Sequence, residues 1–270
     1  MKKDIVTITY KKKVFKIAYF FQQGSNRETI VYIHGLGCRK EDFIHIARDK
    51  RLKSFSHIGI DLPGSGETPY PKKVVLDFYD ISEIIALVLR KLKIQKVILV
   101  GHSSGGIPTL LYATKHPNQV KKFINIEGTL WPEQTWYSDE IKKPNFDFSQ
   151  FQAKIFPRMF EEIKTAAESY IGFQKYLKSL KYISPKSFFH YRVSHAKVSN
   201  EISLMDLYLD LPMPTLFMSG SHHKLFKPIL KELREKGAQV AVTPKSHHFS
   251  FHDNLDQFTA QIKKFLSQKS

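Results

Sequence analysis

The sequence predicts an α/β protein: a mostly parallel sheet flanked by helices, with a helical insertion late in the chain. Two observations predict it. Short apolar runs alternate with segments whose apolar residues recur at helical spacing. Several of those runs stop at glycine-rich loops, as strands that feed helices do. The chain has 270 residues, 42% of them hydrophobic, with 13 Gly and 13 Pro. That content can bury a large core and excludes a chain dominated by disorder.

Taken in order, Ile5 to Thr9 and Val14 to Phe21 read as two strands joined by a lysine-rich turn, Lys11 to Lys13. Thr29 to Ile33 is a β-branched strand that stops at His34-Gly35-Leu36-Gly37, a loop able to aim backbone N–H groups. Glu41 to Asp49 is expected to be a surface helix. His57 to Ile60 is a short buried strand ending in Asp61-Leu62-Pro63-Gly64-Ser65-Gly66. From Leu76 to Leu92 the apolar positions Ile81, Ile84, Ile85, Val88 and Leu92 fall on one helix face.

The next strand carries the chemistry. Val97 to Val100 runs into Gly101-His102-Ser103-Ser104-Gly105, and a helix-like pattern follows from Ile107 to Ala113. Strand, G-x-S-x-G and helix in succession make a nucleophile elbow, a turn so tight that small residues must flank the serine. Ser103 then projects from the sheet edge, and the helix start directs backbone N–H groups, that of Ser104 among them, toward an oxyanion formed beside it. Pro108 is tolerated only if it lies in the helix's first turn. His102 is expected to pack within the elbow, pointing away from Ser103.

Lys122 to Ile126 is again a strand, ending at Glu127-Gly128. From 129 to 211 the alternation is lost and aromatics accumulate, among them Phe151, Phe156, Tyr170, Phe173, Phe188 and Phe189. A stretch of that length is expected to be helical and packed rather than a plain loop. The alternation resumes with a strand from Pro214 to Met218, a helix from Phe226 to Lys236, a strand from Gln239 to Thr243, the loop Ser246-His247-His248, and a helix from Leu255 to Leu266.

Charge and cysteine content narrow the function classes. The 42 Lys+Arg against 25 Asp+Glu give a net charge of +17. This favours weak attraction to anionic membrane surfaces, but the lysines are scattered in short groups, so no specific nucleic-acid role is expected. The single cysteine, Cys38, excludes an intramolecular disulfide. Val14 to Phe21 is short, contains Lys16 and lacks a cleavage-site pattern, and no apolar run approaches ~20 residues. A cytoplasmic location is expected; the oligomeric state is not readable.

Four motifs in this order resemble the α/β-hydrolase superfamily: H-G-L-G at His34 to Gly37, D-L-P-G-S-G at Asp61 to Gly66, G-H-S-S-G at Gly101 to Gly105, and S-H-H-F-S-F-H-D-N-L-D-Q-F at Ser246 to Phe258. The resemblance implies a hydrolase core formed by residues 1–128 and 212–270 and a helical lid formed by 129–211. It implies Ser103 as nucleophile, His248 as base, and the N–H groups of Leu36 and Ser104 as an oxyanion hole. It implies no cofactor and no metal.

The chain departs from the family pattern at the acid. The loop after the strand Pro214 to Met218 reads Gly220-Ser221-His222-His223-Lys224, without a carboxylate. A subset that resembles haloalkane dehalogenases draws the acid from one strand earlier, which selects Glu127; Asp210, or no acid at all, stays open. Adjacent histidines such as His222-His223 and His247-His248 do not readily share one ion. Asp61 is expected to anchor a turn, and Cys38 to be a small buried residue.

The expected reaction is acyl transfer to water from a small-molecule carboxylic ester or related acyl compound with an apolar acyl part. A lyase or other proton-transfer enzyme on the same scaffold would keep the serine and histidine but form no acyl-enzyme. A non-catalytic hydrolase-like binding protein would not react with a fluorophosphonate.

Overall fold

A computed structural model describes residues 1–26, 28–132, 140, 143 and 145–268. Part of the predicted insertion, 133–139, 141, 142 and 144, lies outside the described residues. Eight strands form one sheet: β1 (Lys2–Tyr10), β2 (Lys13–Gln22), β3 (Thr29–Ile33), β4 (Ser56–Ile60), β5 (Val97–His102), β6 (Val120–Ile126), β7 (Thr215–Gly220) and β8 (Val240–Thr243). Their spatial order is β1-β2-β4-β3-β5-β6-β7-β8. β1 and β2 attach as an antiparallel arm, and from β4 to β8 the strands are parallel. The β1–β2 turn contracts to Lys11-Lys12, both with positive φ, +45° and +57°, as a two-residue hairpin turn matched to strand twist requires.

β3, β4 and β5 are buried along their whole length because both faces of the sheet are covered there. Val31, Ile33, Val97, Leu99 and Phe123 pack with the helices α2 (Phe78–Lys91) and α3 (Gly106–Lys115) on one side. Ile30, Tyr32, Ile98, Val100 and Ile124 pack with Phe258, Ile262 and Phe265 on the other. α2 starts two residues later than its apolar pattern, because Asp77 caps it by accepting the Asp80 N–H at 2.8 Å.

The helix expected from Glu41 to Asp49 is not continuous. A 3₁₀ turn (Lys40–Phe43), a single α-turn, α1 (Ile44–Ala47), and a second 3₁₀ turn (Lys50–Leu52) replace it. Nor is it a surface element: Asp42, Phe43, Ile46 and Ala47 are buried. Asp42 bends the segment by accepting the Arg39 N–H at 2.9 Å, and Phe43 packs against Phe251 with ring centroids 5.3 Å apart.

Between β6 and β7 the described residues form helices. A five-residue π-helical segment (Phe151–Ile155) leads into α4 (Phe156–Ser169), α5 (Ile171–Leu180), α6 (Pro185–Glu201) and α7 (Leu204–Leu209). The aromatics of this stretch pack among themselves, with Phe151 5.9 Å from Phe188 and 5.5 Å from Phe189. The chain closes with α8 (Lys227–Glu235), α9 (Ser250–Asp253) and α10 (Leu255–Leu266). No helix among the described residues is long and apolar enough to cross a membrane.

Candidate active site

β5 delivers Ser103 to the carboxyl edge of the sheet, where parallel α/β folds gather their sites. Ser103 has φ +52°, a left-handed conformation that a side-chain-bearing residue holds only where its surroundings impose it. A 3₁₀ turn (Ser103–Gly105) links it to α3, which places Pro108 in the first turn and keeps the helix intact. The elbow interlocks with the His34–Gly37 loop at two glycines. A Cβ on Gly105 would lie 2.3 Å from the His34 carbonyl oxygen, and a Cβ on Gly35 would lie 2.8 Å from Ser103 Cβ. Any larger residue at either position would force the loops apart.

Buried side chains fix that loop. The Leu62 N–H donates to His34 Nε2 at 3.0 Å, so the imidazole proton sits on Nδ1, which donates to the Gly35 carbonyl at 2.8 Å. Burial pushes the His34 pKa down, which keeps the ring neutral for this double role. From α5 the Tyr176 hydroxyl donates to the Leu36 carbonyl at 3.1 Å. The Leu36 N–H donates to Ser104 Oγ at 3.3 Å, a long bond that leaves this donor weakly engaged. A cavity of about 10 Å³ touches Leu36 and Ser104, with Leu62, Phe78, Ile183 and Tyr191 among its walls.

Glu127 follows directly on β6, with φ +47°, and is buried. Its carboxylate receives four donors. Oε1 accepts the Ser219 hydroxyl at 2.6 Å and the Gly220 N–H at 2.8 Å. Oε2 accepts His248 Nδ1–H at 2.6 Å and His223 Nδ1–H at 2.7 Å. Burial raises the cost of its charge, but the hydrogen bonds donated by His223 and His248 and the electrostatic attraction of those Nδ1–H groups outweigh it. The carboxyl is held well below the usual carboxylate range.

The loop bearing His248 is secured from both sides. His102 Nε2–H donates to the His248 carbonyl at 3.1 Å, and the two rings lie 4.8 Å apart. His102 is therefore buried packing, and it also braces the loop that carries His248. Burial pushes its pKa well down, consistent with the single-proton form this bond needs. His247 Nδ1 accepts the His248 N–H at 2.9 Å and the His247 N–H donates to Asp253 at 2.9 Å. No hydrogen bond joins Ser103 to His248 among the described residues, and unliganded sites commonly close that bond only around substrate.

Other candidates occupy the places chemistry gives them. Asp61 accepts the Lys40 N–H at 2.8 Å, Lys40 Nζ at 2.7 Å and the Glu67 N–H at 2.9 Å, anchoring its turn. Asp210 follows α7 and donates its own N–H to Asp206, on the approach to β7 rather than beyond it. Cys38 is buried, and burial pushes its thiol pKa well up. The sequence does not mark His223 as a partner of Glu127; the lack of a carboxylate in its loop is the one local sign that another group stands there. Glu127, His223 and His248 place ligand-type atoms within 4.8 Å of one another. Separations of 2.6 and 2.7 Å are hydrogen-bond lengths, tighter than a tetrahedral ion with ligands at about 2.0–2.1 Å accommodates.

A serine in a strand–turn–helix elbow after β5, a glycine-rich loop after β3 packed against it, and a buried Glu127–His248 pair from the loops after β6 and β8 are the parts of a hydrolase of the α/β class. Residues 28–255 match the family model for the alpha/beta hydrolase fold, and the chain belongs to that family. Among its relatives, "Putative esterase/lipase" of Haemophilus influenzae is 26% identical over 259 residues, 92% of this chain and 86% of that protein. "Putative esterase/lipase 2" of Mycoplasma pneumoniae is 21% identical over 78% of this chain and 77% of its own. Among solved structures, a thermophilic esterase from Thermogutta terrifontis superposes with a TM-score of 0.81 at 18% identity, covering 98% of each chain. The chain is accordingly an enzyme, a hydrolase on this fold.

Proposed function

We propose that the chain is a serine hydrolase that cleaves a small-molecule carboxylic ester through an acyl-enzyme. The observation that carries this reading is the 2.6 Å bond from His248 Nδ1 to the buried Glu127. It commits the His248 proton to Nδ1 and leaves Nε2 as the free base on the loop beside Ser103. His248 Nε2 takes the Ser103 proton as Oγ bonds to the carbonyl carbon, and the Leu36 and Ser104 N–H groups hold the oxyanion. The C–O bond to the alcohol breaks as the imidazolium protonates it. Water then attacks the acyl-Ser103 ester, passing its proton through His248 back to Ser103 Oγ, and the acid leaves.

Residues 129–211 act as a lid over a core of 1–128 and 212–270. The small cavity beside Leu36 and Ser104 has Ser65 and Ser187 as well as Leu62, Phe78, Ile183 and Tyr191 in its walls, and the Phe- and Tyr-rich insertion favours an acyl group with an apolar body. Fluorophosphonate labelling followed by a series of p-nitrophenyl esters tests nucleophile and substrate class together. A labelled enzyme that turns over these esters supports the reading, and an unlabelled, inactive one refutes it.

A further inference from the structure

Glu127 serves two imidazoles with one oxygen. Oε1 is taken by Ser219 and Gly220, so His248 Nδ1 at 2.6 Å and His223 Nδ1 at 2.7 Å both donate to Oε2. A carboxylate oxygen has two lone pairs, and both are then committed to Nδ1–H donors. His223 is 13% exposed at its side chain and Glu127 0%, so this bond forms away from bulk water, where sharing of charge is felt strongly. The ring is fixed by its neighbours: Phe226 at 4.6 Å, His247 at 4.5 Å and His248, edge-on, at 5.3 Å.

We propose that His223 is a positioning residue for the hydrolysis: its Nδ1–H anchors Glu127 Oε2 and withdraws part of the carboxylate's charge from His248, so that the base is free of its proton at lower pH than a Glu–His pair alone would allow. This rests on the serine-hydrolase reading above. The loop after β7, where the family pattern places an acid, thus supplies a second donor to the acid one strand earlier. Glu127 is the anion facing His223. The other titratable groups around His223 and His248 are His247 from the β8–α9 loop, His222 from the loop after β7, and His102 of β5, whose ring lies 4.8 Å from that of His248. Beyond them lie Tyr170, whose ring is 5.0 Å from His247, and Asp253, which accepts the His247 N–H.

The test compares the pH profile of kcat/KM for the full chain with those of His223→Phe and His223→Asn. Phenylalanine keeps the ring packing and removes the donor, whereas the asparagine amide occupies the Nδ1 position as a donor that cannot titrate. His223→Phe should move the acid limb up by roughly one pH unit, about a tenfold loss on the acidic side, with KM little changed. His223→Asn should hold the limb near that of the parent. A limb that stays put in His223→Phe, or moves equally in both variants, overturns the proposal. Independently of any variant, ¹⁵N-histidine NMR of the parent should show two strongly deshielded Nδ1–H protons, and a single one overturns it. If Ser103 in the parent fails to label with a fluorophosphonate, the serine-hydrolase reading falls as well. If Ser103 labels while the limb is unmoved, only the role of His223 falls.

Discussion

His248 Nδ1 donates to Glu127 Oε2 across 2.6 Å, although the two residues stand 121 positions apart in the chain. If this bond orients the base, Glu127→Gln should leave folding intact but lower kcat by a factor of about 10³–10⁴, because the amide favours the wrong imidazole tautomer and cannot balance the imidazolium. Asp210→Asn, altered on the far side of β7, should keep near-parental kcat. Steady-state kinetics on both variants checks this. A crippled Asp210→Asn beside a fully active Glu127→Gln would move the acid elsewhere.

Much of this arrangement is legible in the residue order. The strand–helix alternation marks β3 to β8, because strands covered on both faces are rich in apolar residues. Ser103 is visible because the G-x-S-x-G that holds it follows such a run, whereas His248 and Glu127 are reached through the resemblance to the hydrolase superfamily. The break in the segment 41–49 is not legible, since it depends on Phe43 meeting Phe251 and Asp42 turning back on Arg39. His223 is hidden for a related reason. Its bond to Glu127 spans 96 residues, and a histidine pair in a loop carries no local sign of which carboxylate it will meet.

A buried histidine in the core sets an acid limit on stability. His57 Nε2–H donates to the Leu52 carbonyl at 3.1 Å and Nδ1 accepts the Tyr32 hydroxyl at 2.9 Å, so a second proton would strand the tyrosine donor. Burial pushes the His57 pKa down to about 4. The unfolded chain binds this proton near pH 6.5 and the folded one only near 4, so the stabilisation is complete above about pH 6.5 and is lost as pH falls toward 4, in all about 3 kcal/mol. Denaturant melts between pH 7 and 4.5 should show a shallower loss in His57→Gln than in the parent. Parallel slopes would contradict it.

The size of the acyl group should be set by the cavity walls. Ile183 borders the space beside Leu36 and Ser104, and Ile183→Ala should extend it. The ratio of kcat/KM for p-nitrophenyl butyrate over acetate should rise, by about fourfold for each additional methylene the enlarged space buries. An unchanged ratio would show that the acyl group lies elsewhere.

The most direct test of the account is the site of covalent capture. The enzyme is treated with a fluorophosphonate, digested and mapped by mass spectrometry, with Ser103→Ala run in parallel and its fold checked by circular dichroism. A single adduct is expected on the peptide containing Gly101-His102-Ser103-Ser104-Gly105, together with a folded Ser103→Ala protein that neither labels nor hydrolyses ester. An adduct on another residue, or undiminished ester hydrolysis by Ser103→Ala, would contradict it.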